Sequence, residues 1–128
     1  MYFKNLLINP YILPSESEED SYIEYKRQLL NISNIRLEKR ISQMLKRLYE
    51  GYIINDKMMC IYLLGINDDG SIHGLDKKDR KKTLKNLRKM VDGCGATIHS
   101  YHIRKLKGYG YILQVNITSD KIPQDFVY

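Results

Sequence analysis

The chain has 128 residues, 43% of them hydrophobic, with 21 Lys or Arg against 15 Asp or Glu for a formal excess of +6. That length suits one domain with a real core and argues against two. The excess is concentrated: residues 76 to 107 hold eleven Lys or Arg against three Asp, while the remainder holds ten against twelve. Such a face attracts a phosphate backbone through Coulomb energy and counterion release, so nucleic acid is the first partner to consider.

Tyr2 to Leu13 is apolar but interrupted by Lys4, Asn5, Asn9 and Pro10, too short and too broken to span a bilayer. Residues 1–14 read as an apolar, extended N-terminal arm packing on the domain, residues 15–119 as the domain and residues 120–128 as a tail. Where arm and domain meet, Pro14 and the acidic run Ser15 to Asp20 read as a solvated linker.

Tyr22 to Leu30, rich in aromatic and branched residues, predicts a first strand. From Asn34 the period changes: Leu37, Ile41, Met44, Leu45 and Leu48 share one helix face, with Ser33 or Asn34 as cap and Gly51 as stop. Lys57 to Leu64 is an unbroken apolar run, as expected of a central strand covered on both sides. Asp68-Asp69-Gly70 then predicts a tight turn into Ser71-Ile72-His73.

Asp76 predicts the cap of a second helix with a narrow stripe of Leu84, Leu87 and Val91, ended by Gly93 and Gly95. Ala96 to Leu106 and Tyr109 to Thr118 read as two strands joined at Lys107-Gly108, the latter with Tyr109, Tyr111, Leu113, Val115 and Ile117 on one buried face. The order is β-α-β-β-α-β-β, an α+β domain with helices packed on a mostly antiparallel sheet. Pro123 keeps the tail, which ends in Phe126-Val127-Tyr128, out of regular pairing. The tail is expected either to fold back on the domain or to insert into a partner.

The second predicted helix carries Lys77, Lys78, Arg80, Lys81, Lys82, Lys85, Arg88 and Lys89 around its apolar stripe. Like charges on neighbouring turns repel, which an anion relieves, so these residues are expected to contact RNA phosphates. His99, His102, Arg104, Lys105, Lys107 and Tyr109 are expected to extend that surface, with Tyr101 nearby. Basic residues interleaved with aromatics suit RNA, whose unstacked bases lie on rings and guanidinium planes.

No metal or catalytic site is expected. His99 and His102, three apart on a strand, are expected on opposite faces, so they and Cys94 do not suggest zinc. Cys60 and Cys94 read as reduced thiols, core or semi-buried, in a cytosolic or nuclear setting, of which the cytoplasmic one is expected. There is no Gly-x-x-x-x-Gly-Lys-Ser/Thr loop, and no Ser, Cys or His stands in a nucleophile setting. Glu24, Glu38 and Asp69 would have to converge to make a metal-dependent nuclease.

Several short blocks resemble the amino-terminal domain of the GTP-binding protein 1 and 2 family, translational GTPases related to elongation factor 1A. They are Leu13 to Glu16, Ile23 to Lys26, Gln43 to Gly51, Tyr62 to Leu75 and Thr83 to Met90. The chain ends where that family's GTPase domain would begin, so GTP binding is not implied. A free-standing version of the domain is similar to the microsporidian dormancy factors of inactive ribosomes. That resemblance implies a non-enzymatic, monomeric, cofactor-free protein that occupies the tRNA exit site. Glu24-Tyr25-Lys26 and Gly65 to Gly70 also resemble, more distantly, the Schlafen-type AlbA domain. This leaves a ribonuclease acting on tRNA or rRNA as an alternative, and a protein-interaction adaptor as a third.

Overall fold

The computed structural model describes residues 3–16, 22–54 and 56–120. The chain runs β1 (Ile23–Lys26), α1 (Asn34–Glu50), β2 (Tyr52–Ile54), β3 (Lys57–Leu64), α2 (Lys77–Gly93), β4 (Thr97–Leu106) and β5 (Gly110–Ser119). The α+β class and the β-α-β-β-α-β-β order are those expected. The strands form one sheet in the order β1-β3-β5-β4, and β2 pairs the first residues of β3 on the edge that β1 occupies farther along. The β1–β3 pair is parallel and the others are antiparallel.

The second strand of the β-β pair is not where the turn signal suggested. Ser71 to His73 contributes a single bridge, Ile66 to Ile72, while Tyr52–Ile54 pairs with Lys57 to Met59. The tight turn itself forms: Gly70 N–H donates to Asn67 O at 2.8 Å and Gly70 adopts φ +89°, a value glycine tolerates. Pairing stops because the amides of His73 and Gly74 both donate to Gly65 O at 2.9 Å, which turns the chain away.

β1 is also shorter than expected, since residues after Lys26 leave the sheet for α2. Leu29 N–H donates to Thr83 Oγ1 at 3.2 Å, and Asn86 Nδ2 donates to Leu29 O at 2.6 Å.

Helix ends follow local chemistry. Ser33 accepts from Arg36 N–H at the start of α1, and Asp76 accepts from Asp79 N–H at 2.7 Å at the start of α2. Beyond α2, Gly95 takes φ +63° and Ala96 N–H reaches back to Val91 O at 3.1 Å, so spare carbonyls of the last turn are satisfied.

β3 separates two apolar layers. On one side Met58, Cys60, Tyr62 and Leu64, with Leu113, Val115 and Ile117 of β5, meet Met44 and Leu48 of α1 and Leu87, Met90 and Val91 of α2. On the other, Met59, Ile61, Leu63 and Ile112 meet Phe3 and Leu7 of the N-terminal segment. Burial pushes the Cys60 thiol well up and raises the Tyr62 hydroxyl too. Among the described residues the Tyr62 hydroxyl has no hydrogen-bond partner.

The N-terminal segment is held by polar side chains that β5 and β4 bury beneath it. Gln114 acts as a second peptide group: its Oε1 accepts from Leu6 N–H at 2.7 Å and its Nε2 donates to Lys4 O at 2.8 Å. Arg104 Nη1 donates to Leu7 O at 2.6 Å and Ile8 O at 3.0 Å. A short 3-10 turn, Pro10–Ile12, interrupts the extended course. Among the described residues no helix is long and apolar enough to cross a membrane.

Candidate nucleic-acid interface

The basic face is built on α2. Thr83, Asn86, Leu87, Met90 and Val91 turn inward, and the 3.6-residue period places Lys77, Lys78, Lys81, Lys82, Lys85, Arg88 and Lys89 outward, all exposed. Among the described residues none of these cations is ion-paired, as the carboxylates that form ion pairs lie on other elements. From Lys78 to Lys89 the row extends about 16 Å at the helical rise. A strand of phosphates laid along it meets a cation on each successive turn.

Arg80 sits differently, half-buried with its guanidinium 4.2 Å from the centre of the Tyr111 ring. Lys105 of β4 approaches the same ring at 5.7 Å, so a cation–aromatic cluster joins the start of α2 to the sheet edge. Lys107 and Tyr109 are exposed at the β4–β5 turn, and Tyr109 meets Tyr11 edge-on at 6.4 Å between ring centres. Tyr101, 47% exposed, lines a groove of about 490 Å³ with Arg88, Val91 and Ile98 between α2 and β4. A ring beside a guanidinium there offers a surface on which a base stacks.

The remaining sequence-derived residues lie on the other face of the sheet. Arg104 holds the N-terminal segment, and His102 stands in register with the buried Gln114. His99 packs 5.0 Å from Phe3, ring centre to ring centre. The expectation that His99 and His102 point to opposite faces is therefore corrected. A register shift between Ile98 and Ser100 inserts one residue into β4, which reverses the alternation at that point. Cys94 lies in the helix-side core, donating to Ile41 O at 3.5 Å, so the three residues do not converge.

Nor do Glu24, Glu38 and Asp69 meet. Glu38 is exposed on α1, and Asp69 sits in the exposed turn, where bonds from the Ser71 hydroxyl and N–H lower its carboxyl pKa. Glu24 is buried on β1, bonded to Arg47 Nη2 and 3.0 Å from Lys26 Nζ. Among the described residues no group of three or more His, Cys, Asp or Glu is placed to hold a metal ion.

Two features escaped the sequence reading. Glu16, assigned to a solvated linker, accepts from Tyr25 N–H at 2.5 Å and approaches Arg47 Nη2 at 3.4 Å. A cleft between the β1–α1 connection and α1 is lined by Lys26, Arg27, Arg36 and Arg40, outside the concentrated charge run. An exposed cation on a second element leaves no local pattern that flags it. Phe126, Val127 and Tyr128 lie outside the described residues.

Over 90 residues, 70% of this chain, the sequence is 39% identical to GTP-binding protein 2 of Mus musculus and, to the same extent, of Homo sapiens. The chain carries a domain related to GTP-binding protein 2. It spans only 14% of the length of those relatives. Over all 128 residues it is 26% identical to an uncharacterized protein, R625, of Acanthamoeba polyphaga mimivirus, covering 66% of it. No family model and no solved structure matches the chain. The likeness to GTP-binding protein 2 agrees with the resemblance read from the sequence blocks, and it carries no phosphate-binding loop into this chain.

Proposed function

We propose that this protein is a non-enzymatic ribosome-binding factor that occupies the tRNA exit site and holds translation off during dormancy. The observation that carries the reading is the row of cations on α2, none of them ion-paired among the described residues, which suits an rRNA backbone. Its likeness to GTP-binding protein 2 fits a translation-associated role, given the family's relation to translational GTPases. The protein acts in the cytoplasm as a monomer, with rRNA and nearby ribosomal proteins as its partners. Engagement of Glu24 by Arg47 and Lys26 weighs against the ribonuclease alternative, since a metal would have to displace both cations.

Co-sedimentation tests the reading. Ribosomes from resting cells should carry the protein through a sucrose gradient, and saturating deacylated tRNA, the natural occupant of the exit site, should displace it. Protein that stays at the top of the gradient removes the ribosome as partner. Binding that deacylated tRNA leaves unchanged removes the exit site. Site-specific cleavage of tRNA or rRNA in magnesium or manganese, abolished by Glu24→Gln, would establish the nuclease instead.

A further inference from the structure

We propose that the cleft beside α1 is a second phosphate-binding site, continuous with the α2 surface, so that one RNA strand is held by both; this rests on the RNA reading above. The cleft has a volume of about 530 Å³, within the size of a real ligand site. Arg27 and Arg36 are exposed and Arg40 is half-buried, and among the described residues none of the three is ion-paired. Arg36 and Arg40 stand one turn apart on α1 and therefore share a face. Against them, among the described residues, the cleft sets one acidic residue, Asp68, while the charge of Lys26 is met by Glu24. Guanidinium groups take phosphate oxygens two at a time, which suits a concave site better than single point charges do.

The back of the cleft is rigid and is shared with α2. Leu29 N–H bonds Thr83 Oγ1, and Asn86 Nδ2 bonds Leu29 O at 2.6 Å and Leu30 O at 3.3 Å. Thr83 and Asn86 are themselves buried, so these bonds are protected from water. On α2, Lys82 and Lys89 lie four residues before and three after Asn86, on the same side of the helix. The connection at Leu29 and Leu30 thus lines the cleft and is bonded to α2, so it adjoins both cationic surfaces, and a phosphate backbone crossing it passes from one to the other. Among the described residues no aromatic side chain lines the cleft, so none of them would sandwich the base of an isolated nucleotide. A backbone is what the chemistry favours.

The test uses the full chain and fluorescently labelled rRNA, with affinity measured across a series of KCl concentrations. Three proteins are compared: the wild type, the triple variant Arg27→Gln, Arg36→Gln, Arg40→Gln, and the triple Arg→Lys variant at the same positions. The Gln variant should bind about tenfold or more weakly and lose roughly 2 from the slope of log K against log salt. The Lys variant should keep most of that slope, and all three should melt within a few degrees of one another, because two of the changed side chains are exposed and the third is only half-buried. Wild-type binding with the same slope in the Gln variant overturns the cleft and leaves the α2 reading standing. Failure of the wild type to bind rRNA overturns both. Saturable binding of pyrophosphate that the Gln variant loses, with no change in rRNA affinity, replaces the RNA site with one for small phosphates.

Discussion

Glu16 couples two parts of the chain that are distant in any hydropathy profile. Its carboxylate takes the Tyr25 amide of β1 and shares Arg47 of α1 with the buried Glu24. Desolvation raises its pKa above the ordinary value of 4.5, outweighing the Tyr25 N–H, which lowers it, while Glu24 raises it further. The folded state therefore binds this proton more tightly than the unfolded state does. Stability from this group is fullest below the ordinary value and is lost as pH rises through the raised one. Glu16→Gln keeps an oxygen for the Tyr25 amide but cannot ionise. Its melting temperature should gain on that of the wild type as pH rises above the ordinary value of 4.5. A difference that stays constant would show that attraction to Arg47 cancels desolvation, and one that moves toward the wild type as pH rises would show that it outweighs it.

α2 is the element on which the proposed binding turns, and its charges cost the free protein something. Lys78 with Lys82, Lys81 with Lys85 and Lys85 with Lys89 are like-charge pairs at i,i+4, each unfavourable by about 0.2–0.5 kcal/mol. Lys81→Glu, Lys82→Glu, Lys85→Glu and Lys89→Glu together should leave the melting temperature unchanged or higher while ribosome binding is lost. A folded quadruple variant that binds with unchanged salt dependence would refute the basic face. This helix was legible from the residues because its cap, stripe and cations are all local signals, as were α1 and the apolar run of β3. Non-local pairing was not. Gln114 and Asn116 read as the outward half of an alternating strand, yet both are fully buried. The partners that make this possible, Lys4, Leu6 and Ser100, lie far from them in sequence or across a bulge. The Arg27, Arg36 and Arg40 cleft was missed for the same reason, since it is assembled from two elements with no shared period.

At the scale of the whole molecule the sheet is covered on both faces, and each cover has its own task. The helices supply the cationic surface. The N-terminal segment supplies a second apolar layer on the opposite face, reached by Arg104 and Gln114 rather than by any helix. Losing this segment would uncover Ile61, Leu63 and Ile112 and strip Gln114 of its bonds to Lys4 and Leu6. Burial of Phe3 and Leu7 contributes about 1.5–3 kcal/mol each. Removing residues 1–8 should therefore lower the free energy of unfolding by roughly 3 kcal/mol or more. That is a large share of what a domain of this size has. The urea midpoint should fall and an apolar dye should bind the uncovered face. Because α2 lies across the sheet, whatever fraction remains folded should still bind rRNA with the wild-type salt dependence. A truncated protein that unfolds at the same urea concentration as the full chain would mean that the segment merely lies on the sheet. Loss of rRNA binding in a truncated protein that is still folded would place part of the interface on the N-terminal face, where Arg104 and His102 stand.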